Sequence, residues 1–554
     1  MSARPQLEVV PLGGLGEFGM NLMLYRWGGE CLIVDAGMMF PGDYLPGVDF
    51  VLPELSFLDE AGSLLGVVLT HAHEDHIGAV PYLLDRHDVP VWGTPYTIEL
   101  LRRRFAQRET KTTPDLRSLP SSPENVRIGP FGVEAIAVAH SVPQSRLIVL
   151  ETPAGRVVHS GDFKLDPNPP DGEGTDCRRL IEIGRQGILA LLSDSTNADR
   201  PGTTPGEASV RDGLDEVLER SDGRVVLTTF ASNVQRLAGL GKLAERHGRR
   251  LALLGPAVNL HADIAGQLDL LPLRPGVRIG AEQLGELAPD QVLVVAAGSQ
   301  GEPLSAMSRI AAGKHRDIAL EAGDTVIHSA RIIPGNEKPI GRMINRVLRQ
   351  GARVITANDA PVHVSGHAAA AELRQLLEWL KPRWFVPIHG EYRQLHAHVR
   401  LAVGAGLEPR RVLLAESGDR IRIDEETFEI SGRVPVGRTY MEAAGDEVTL
   451  ELVRDRRKSS NHGVVVVVVD IDKHSGTAKG YPWIATRGFT PGVDDEGEML
   501  DRFSQAIAAA IEEAPAKERH DASALEARIE LHLRRSIRRN AQRYPLIIAM
   551  VRGV

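Results

Sequence analysis

The sequence predicts a multi-domain α/β protein, and three observations carry that prediction. The chain has 554 residues, 42% of them hydrophobic, which is too much for one core and calls for about two to four domains. Short β-branched runs alternate with helical patterns along the length instead of segregating into all-α and all-β halves. Several strand-like runs end directly in a polar residue, as in Thr70-His71, Ala139-His140, His159-Ser160-Gly161-Asp162 and Ile388-His389. The ends of strands are where a rigid scaffold presents side chains convergently.

Taken in order, residues 7–12, 21–26 and 31–34 read as strands separated by Gly-rich turns, and 66–70, 133–139, 146–151 and 156–159 continue the series. The stretch Gly13-Gly14-Leu15-Gly16-Glu17-Phe18-Gly19 follows a strand as a dinucleotide fingerprint would. Residues 20–25 then read as another strand, not a helix, so a hairpin turn is the better account. Residues 201–206, Pro-Gly-Thr-Thr-Pro-Gly, form a connection. Beyond it strands at 224–229, 250–254, 291–296 and 324–328 mark an inserted α/β domain. Gly298-Ser299-Gln300-Gly301-Glu302 inside it is either a strand-to-helix connection or an RNA contact. The segment 356–388 resumes the chemistry with His363, His367 and His389, so the first domain closes only after the insertion. The expected division is 1–200 and 346–425 for the first domain, 201–345 for the insertion, 426–449 for a linker and 450–554 for a small C-terminal α/β domain. That last domain holds strands at 463–470 and 546–551 and helices near 498–513 and 523–540.

Bulk properties narrow the class. No apolar run of about eighteen residues occurs, and Met1 to Gln6 is not of signal-peptide type, so no membrane partner is expected. Two cysteines, Cys31 and Cys177, exclude a disulfide framework and fit a reducing cytoplasm. A net charge of −9 argues at first against phosphate-backbone binding. Basic residues nevertheless cluster at Arg102-Arg103-Arg104 with Arg108, at 454–458, and at Arg534, Arg535, Arg538, Arg539 and Arg543. Any one cluster is best read as a solvated helix face, and three make local positive surface available.

The strongest signal is Thr70-His71-Ala72-His73-Glu74-Asp75-His76-Ile77-Gly78, four potential ligands within six residues at a strand end. Two imidazoles one residue apart point to the same side of an extended segment, while Asp75 and His76 turn toward a second position as a helix begins. One ion cannot use all four. The spacing suits two adjacent cations sharing a bridging water or hydroxide, with His71 and His73 on one and Asp75 and His76 on the other.

This motif, with Asp35, His140 and Asp162 in order, resembles the signature of the metallo-β-lactamase superfamily. The inserted domain, Asp194-Ser195-Thr196-Asn197, Thr229-Phe230-Ala231-Ser232-Asn233, His363-Val364-Ser365-Gly366-His367 and residues 387–392 resemble the β-CASP nucleases, and most closely the ribonuclease J family, over essentially the whole chain. The resemblance implies a metallo-β-lactamase αββα sandwich with an inserted β-CASP α/β domain and a small C-terminal α/β domain. It implies His140 beside His71 and His73 on one metal, Asp162 bridging both, His389 completing the second site, and Asp35 supporting the ligand loop. It further implies a cytoplasmic ribonuclease acting 5′ to 3′ on single-stranded RNA with a 5′-monophosphate and also cutting internally, in rRNA processing and mRNA decay. Two divalent ions are implied, zinc with manganese as activator, together with a homodimer and other RNA-decay proteins as partners. One departure stands out: Gln144 follows His140-Ser141-Val142-Pro143 where the family commonly has Asp.

The chemistry of the residues runs parallel to the resemblance. Phosphodiester hydrolysis needs a nucleophile, charge neutralisation and protonation of a departing oxygen, and paired metals supply the first two. Asp75 and His367 are the expected catalytic residues, with His367, or failing it His363, as general acid. His363, Val364, Ser365, Gly366 and His367 make a phosphate cradle. Ser232 and Asn233 either add donors or merely form a turn. A lactamase or thioesterase needs no such insertion, a non-catalytic RNA-binding scaffold would lack ligands, and a DNA-processing β-CASP nuclease typically lacks a histidine at the position of His389.

Overall fold

The computed structural model describes residues 6–42, 44–108, 113–167, 169, 172–489, 496–541 and 543–553. They form two compact units, one of residues 1–40 and 51–439 and one of 41–50 and 440–554.

The first unit is built on two sheets. One has eight strands, in the spatial order Phe428–Arg433, Asp419–Ile423, Leu7–Gly13, Leu22–Trp27, Glu30–Val34, Ser63–Val68, Val91–Gly93 and Leu116–Ser118. The other has six: Trp384–Ile388, Ala190–Asp194, Gly155–His159, Arg146–Thr152, Phe131–Ala137 and Asn125–Ile128. Alternating side chains of each meet between them, Val9, Tyr25, Val34 and Val68 from the first against Val133, Ile148, Leu150, Leu192 and Val386 from the second, all buried. The opposite face of the six-stranded sheet, through Ile136, Val149 and Leu191, buries Leu180 and Ile183 of helix Cys177–Arg185 and Leu373, Leu376 and Leu380 of helix Ala370–Leu380. This is the αββα sandwich the resemblance implied.

Between its two contributions the chain builds a third sheet, all parallel, in the order Arg278–Ile279, Arg250–Leu254, Val292–Ala296, Val225–Thr228, Thr325–His328 and Arg353–Ile355. Its central strands, Arg250–Leu254, Val292–Ala296 and Val225–Thr228, are near-continuous buried apolar runs, the pattern of a parallel sheet covered on both faces. The insertion meets the sandwich where Tyr96 of helix Pro95–Gln107 reaches His261 Nδ1 of helix Pro256–Gln267 at 2.7 Å.

The expected strand 66–70 stops at Val68 and 133–139 stops at Ala137, so His71 and His140 stand on loops a few residues beyond their strands. The turn at Gly13 is a hairpin, with Leu7–Gly13 antiparallel to Leu22–Trp27. Residues 426–449, expected as a linker, carry pairing strands: Phe428–Arg433 edges the large sheet, and Arg438–Met441 pairs with Glu447–Val448. Phe428–Arg433 is a largely half-exposed edge strand, and Arg438–Met441 is a short strand buried only at Met441, so neither shows the hydrophobic alternation that reveals a strand buried on one face.

In the second unit Val464–Ile471 lies between Trp483–Arg487, antiparallel, and Leu546–Gly553, parallel. Val465, Val467, Val469 and Ile547 bury one face against Phe503 and Ile507 of helix Glu496–Glu512 and Leu525, Ile529 and Leu533 of helix Ala522–Ala541.

Candidate metal centre

The motif loop leaves the middle of the large sheet, and helix Glu74–Ile77 begins with His73 as an extended N-cap. The backbone of Asp35-Ala36-Gly37 lies so close to this loop that a Cβ on Gly37 would fall 1.6 Å from the Asp75 carbonyl oxygen; only glycine permits the approach. Ala36 N–H donates to His76 O and Met38 N–H to Glu74 O. Arg104 forks onto the Glu74 carboxylate from outside.

Three groups of donor atoms result, each within 4.8 Å: His71, His73, His140 and Asp162 in the first, Asp75, His76, Asp162 and His389 in the second, and Asp162, Asp194, His367 and His389 in a third, where Asp194 Oδ2 is already hydrogen-bonded to His367 Nδ1 at 2.8 Å. In the first, His73 Nδ1 is 3.1 Å from both His71 Nε2 and His140 Nε2, and Asp162 Oδ2 is 3.7 Å from each of those Nε2 atoms. In the second, His76 Nε2 is 3.3 Å from Asp162 Oδ2 and 3.6 Å from Asp75 Oδ2, and His389 Nε2 is 3.4 Å from Asp75 Oδ2. Ligand atoms about 2.0–2.2 Å from one tetrahedral ion lie about 3.3–3.6 Å apart, so both spacings fit a cation. His389 Nε2, buried and without a hydrogen-bond partner among the described residues, fits the same reading.

Outer contacts settle which nitrogen faces inward. His76 Nδ1 is 2.7 Å from Asp35 Oδ2, His140 Nδ1 is 2.8 Å from the Gly366 carbonyl, and His71 Nδ1 is 2.9 Å from Thr70 Oγ1, whose hydroxyl donates to Asp35 at 2.8 Å. Each contact holds a proton on Nδ1 and leaves the Nε2 lone pair toward the centre. Gly366 is required there, since a Cβ would meet the His140 ring at 2.8 Å. Asp35 and His389 both hold positive φ, 62° and 54°, backbone strain of the kind retained at functional sites.

Electrostatics divides the groups. Burial first, then the neighbouring imidazole (His76 for His71, His73 for His140), pushes His71 and His140 well below the ordinary histidine value. Burial likewise brings His73 to about 4. All three are neutral, as ligands must be. Burial would also lower His76 and His389, but facing carboxylates, Asp162 foremost, reverse it and raise both. Without a cation the second group holds protons among its carboxylates.

The structure also brings in Asp194, to which the sequence assigns no role in the site. It ends a central strand and is 1% exposed, with Oδ2 2.8 Å from His367 Nδ1 and Oδ1 3.3 Å from His389 Nδ1. It belonged to the quoted Asp-Ser-Thr-Asn motif, but nothing in that motif distinguishes a site carboxylate from a turn former. His367, 18% exposed, faces Asp162 Oδ2 with Nε2 at 3.9 Å. His363, Ser365 and Gly366 lie on the same half-buried loop, whereas Val364 is buried and offers only backbone. Asn233 is 3% exposed and caps helix Val234–Arg246, accepting Arg236 N–H at 3.1 Å, so its oxygen is committed to the helix. Ser232 beside it remains half-buried. Gln144 likewise caps a helix: in the left-handed region (φ 56°), its Oε1 accepts Tyr96 N–H at 2.9 Å on the first turn of Pro95–Gln107. The cluster from Arg102 to Arg108 is neutralised by Glu99, Glu74 and Asp85, a solvated, paired face. Arg535, Arg538 and Arg539 are exposed.

Family models match consecutive parts of the chain: "Metallo-beta-lactamase superfamily" over 15–220, "Ribonuclease J, beta-CASP domain" over 222–347, "Zn-dependent metallo-hydrolase RNA specificity domain" over 357–412 and "Ribonuclease J C-terminal domain" over 451–554. Ribonuclease J of Sinorhizobium meliloti is 37% identical, covering 100% of this chain and 98% of that protein. Ribonuclease J of Synechocystis is 36% identical over 98% of this chain and 86% of its own, and that of Thermus thermophilus 38% over 83% and 82%. A solved Enterococcus faecalis protein of unknown function shares the fold, with a TM-score of 0.53 and 16% identity over 75% of this chain and all of that one.

Proposed function

Since the chain belongs to the ribonuclease J family and is a metal-dependent ribonuclease, we propose that it holds two divalent cations and degrades RNA from a 5′-monophosphate end, with internal cleavage as a second mode. The observation that carries this reading is the first two donor groups, which share Asp162, with the His363–His367 loop against them through Gly366 and His367. His71, His73 and His140 take one ion, Asp75, His76 and His389 the other, and Asp162 both. The mixed imidazole and carboxylate set suits zinc and also admits manganese as activator. When bound, the ions neutralise developing phosphate charge and acidify a water nucleophile.

The remaining work falls to the chain. Asp75, its side chain 34% exposed at the mouth, orients the nucleophile. His367 delivers a proton from Nε2 to the departing oxygen, and Asp194 on Nδ1 stabilises the charged ring before transfer and holds its orientation after it. His363 and Ser365, with Ser232 nearby in sequence to the capped helix, take the terminal phosphate and set the first linkage over the centre. The match to an RNA specificity model over 357–412 favours RNA over DNA.

The protein acts in the cytoplasm as a homodimer. Among the described residues no helix is long and apolar enough to cross a membrane, and both cysteines are free thiols. The second unit leaves one apolar sheet face half-covered, through Val464, Val466, Val468, Ile548, Met550 and Trp483, which suits a second copy. A time course on 5′-labelled monophosphorylated RNA tests the reaction mode. Early release of labelled mononucleotide is expected, and labelled internal fragments alone would refute 5′ trimming.

A further inference from the structure

The loop 363–367 has its hydrogen-bond polarity decided by residues behind it. Arg236 is 3% exposed; its Nη2 donates to Glu207 Oε1 at 2.7 Å, its Nη1 to the Ser329 carbonyl at 2.8 Å, and Nη1 also lies 3.2 Å from His363 Nδ1. A guanidinium only donates. His363 Nδ1 must therefore carry the lone pair, and the ring proton sits on Nε2, which has no partner among the described residues. Burial first and Arg236 next hold this ring down to about 3, so it stays neutral.

Asn197, 1% exposed, does the same for the serine. Its Oδ1 accepts from Arg331 Nη1 at 3.2 Å, while its Nδ2 donates to the His367 carbonyl at 3.0 Å and to Ser365 Oγ at 2.9 Å. A donor-only partner on one side and a carbonyl on the other leave the amide one orientation. Ser365 Oγ also accepts His367 N–H at 3.2 Å. Both lone pairs are used, and the hydroxyl is left to donate.

Resting on the reading of this loop as the 5′-phosphate subsite, we propose that Arg236 and Asn197 are positioning residues that make the subsite donor-only, through His363 Nε2–H and Ser365 O–H. A phosphate dianion offers acceptors only and matches it. A 5′-hydroxyl must place its own proton, and the two side chains supply no acceptor for it.

The test uses the metal-loaded full chain and two RNAs differing only in a 5′-monophosphate or 5′-hydroxyl. Asn197→Asp keeps the shape but turns a donor into an acceptor, drawing the Ser365 proton inward. KM for the monophosphorylated RNA should rise about tenfold relative to any change on the hydroxyl RNA, the worth of one hydrogen bond to a charged group; the hydroxyl RNA reads separately whatever the lost donor to the His367 carbonyl does to the general acid. A cycle with Ser365→Ala separates this from a general charge effect. Ser365→Ala should raise the same KM in the parent and add nothing in the Asn197→Asp background. Additive losses, or equal losses on both RNAs, would overturn the proposal. The arginine half is read without touching Arg236, whose removal would strand Glu207: in a long-range proton–nitrogen spectrum of the zinc-loaded parent, the His363 signal, identified by its loss in His363→Gln, should show a bare Nδ1. A protonated Nδ1 would overturn that half. A parent with no preference for the 5′-monophosphate would instead remove the subsite reading and the inference with it.

Discussion

Asp35 is the position where one atom's chemistry should be felt at the metal centre. Its carboxylate, 1% exposed, accepts Thr70 N–H at 2.8 Å on Oδ1, and on Oδ2 the Thr70 hydroxyl at 2.8 Å and His76 Nδ1 at 2.7 Å. Asp35→Asn is isosteric, and asparagine tolerates the left-handed backbone (φ 62°) as aspartate does. The amide keeps one acceptor for Thr70 N–H and sets an NH2 against two donors. His76 must then shed its Nδ1 proton and carry it on Nε2, the nitrogen 3.3 Å from Asp162 Oδ2. Affinity for the second cation should fall about 10–100-fold, the usual cost of losing an outer partner of a ligand. The first cation, on His71, His73 and His140, should be held far better. Loss of one charge-assisted buried bond should lower stability by about 2–3 kcal/mol. Titration against a chromophoric chelator reads the two affinities and a urea melt of the metal-free protein reads the stability. A second-site affinity within about threefold of the parent, in a folded protein, would refute the tautomer argument.

His367→Ala should lower kcat by about 10²–10⁴ while leaving metal content at the parent level; loss of a bound ion in the same variant would make His367 a ligand instead of a proton donor. Gln144→Ala should cost about 0.5–2 kcal/mol by uncapping helix Pro95–Gln107, read in a urea melt, with metal affinity unchanged. Trp483→Asp places a charge on the half-covered sheet face, where Trp483 is 59% exposed, and should shift sedimentation from dimer to monomer; unchanged assembly would locate the contact elsewhere.

The candidate centre was legible in the sequence because its potential ligands are concentrated. His71, His73, Asp75 and His76 occupy six positions, and no ordinary loop needs that density of imidazole and carboxylate. The larger strands were equally plain where one face or both are buried, as in 250–254, predicted and found with the same ends. Edge segments such as Phe428–Arg433 were not, because half-exposed positions impose no pattern.

The amino-acid order alone pointed to the α/β class, the inserted domain and the metal-dependent hydrolase chemistry, through local periodicity and residue types at short spacing, and to the family through the resemblance of its motifs. Only the tertiary structure decided what the dispersed residues do. Asp194 meets His367 across 173 positions, Asn197 meets Ser365 across 168 and Arg236 meets His363 across 127. Gln144 and Asn233 turned out to be helix caps. A lone Asp, Asn, Arg or Gln has the same local signature in a turn, a cap or an active site. Its role is set by which donor or acceptor the folded chain places within about 3 Å of it in a site closed to water.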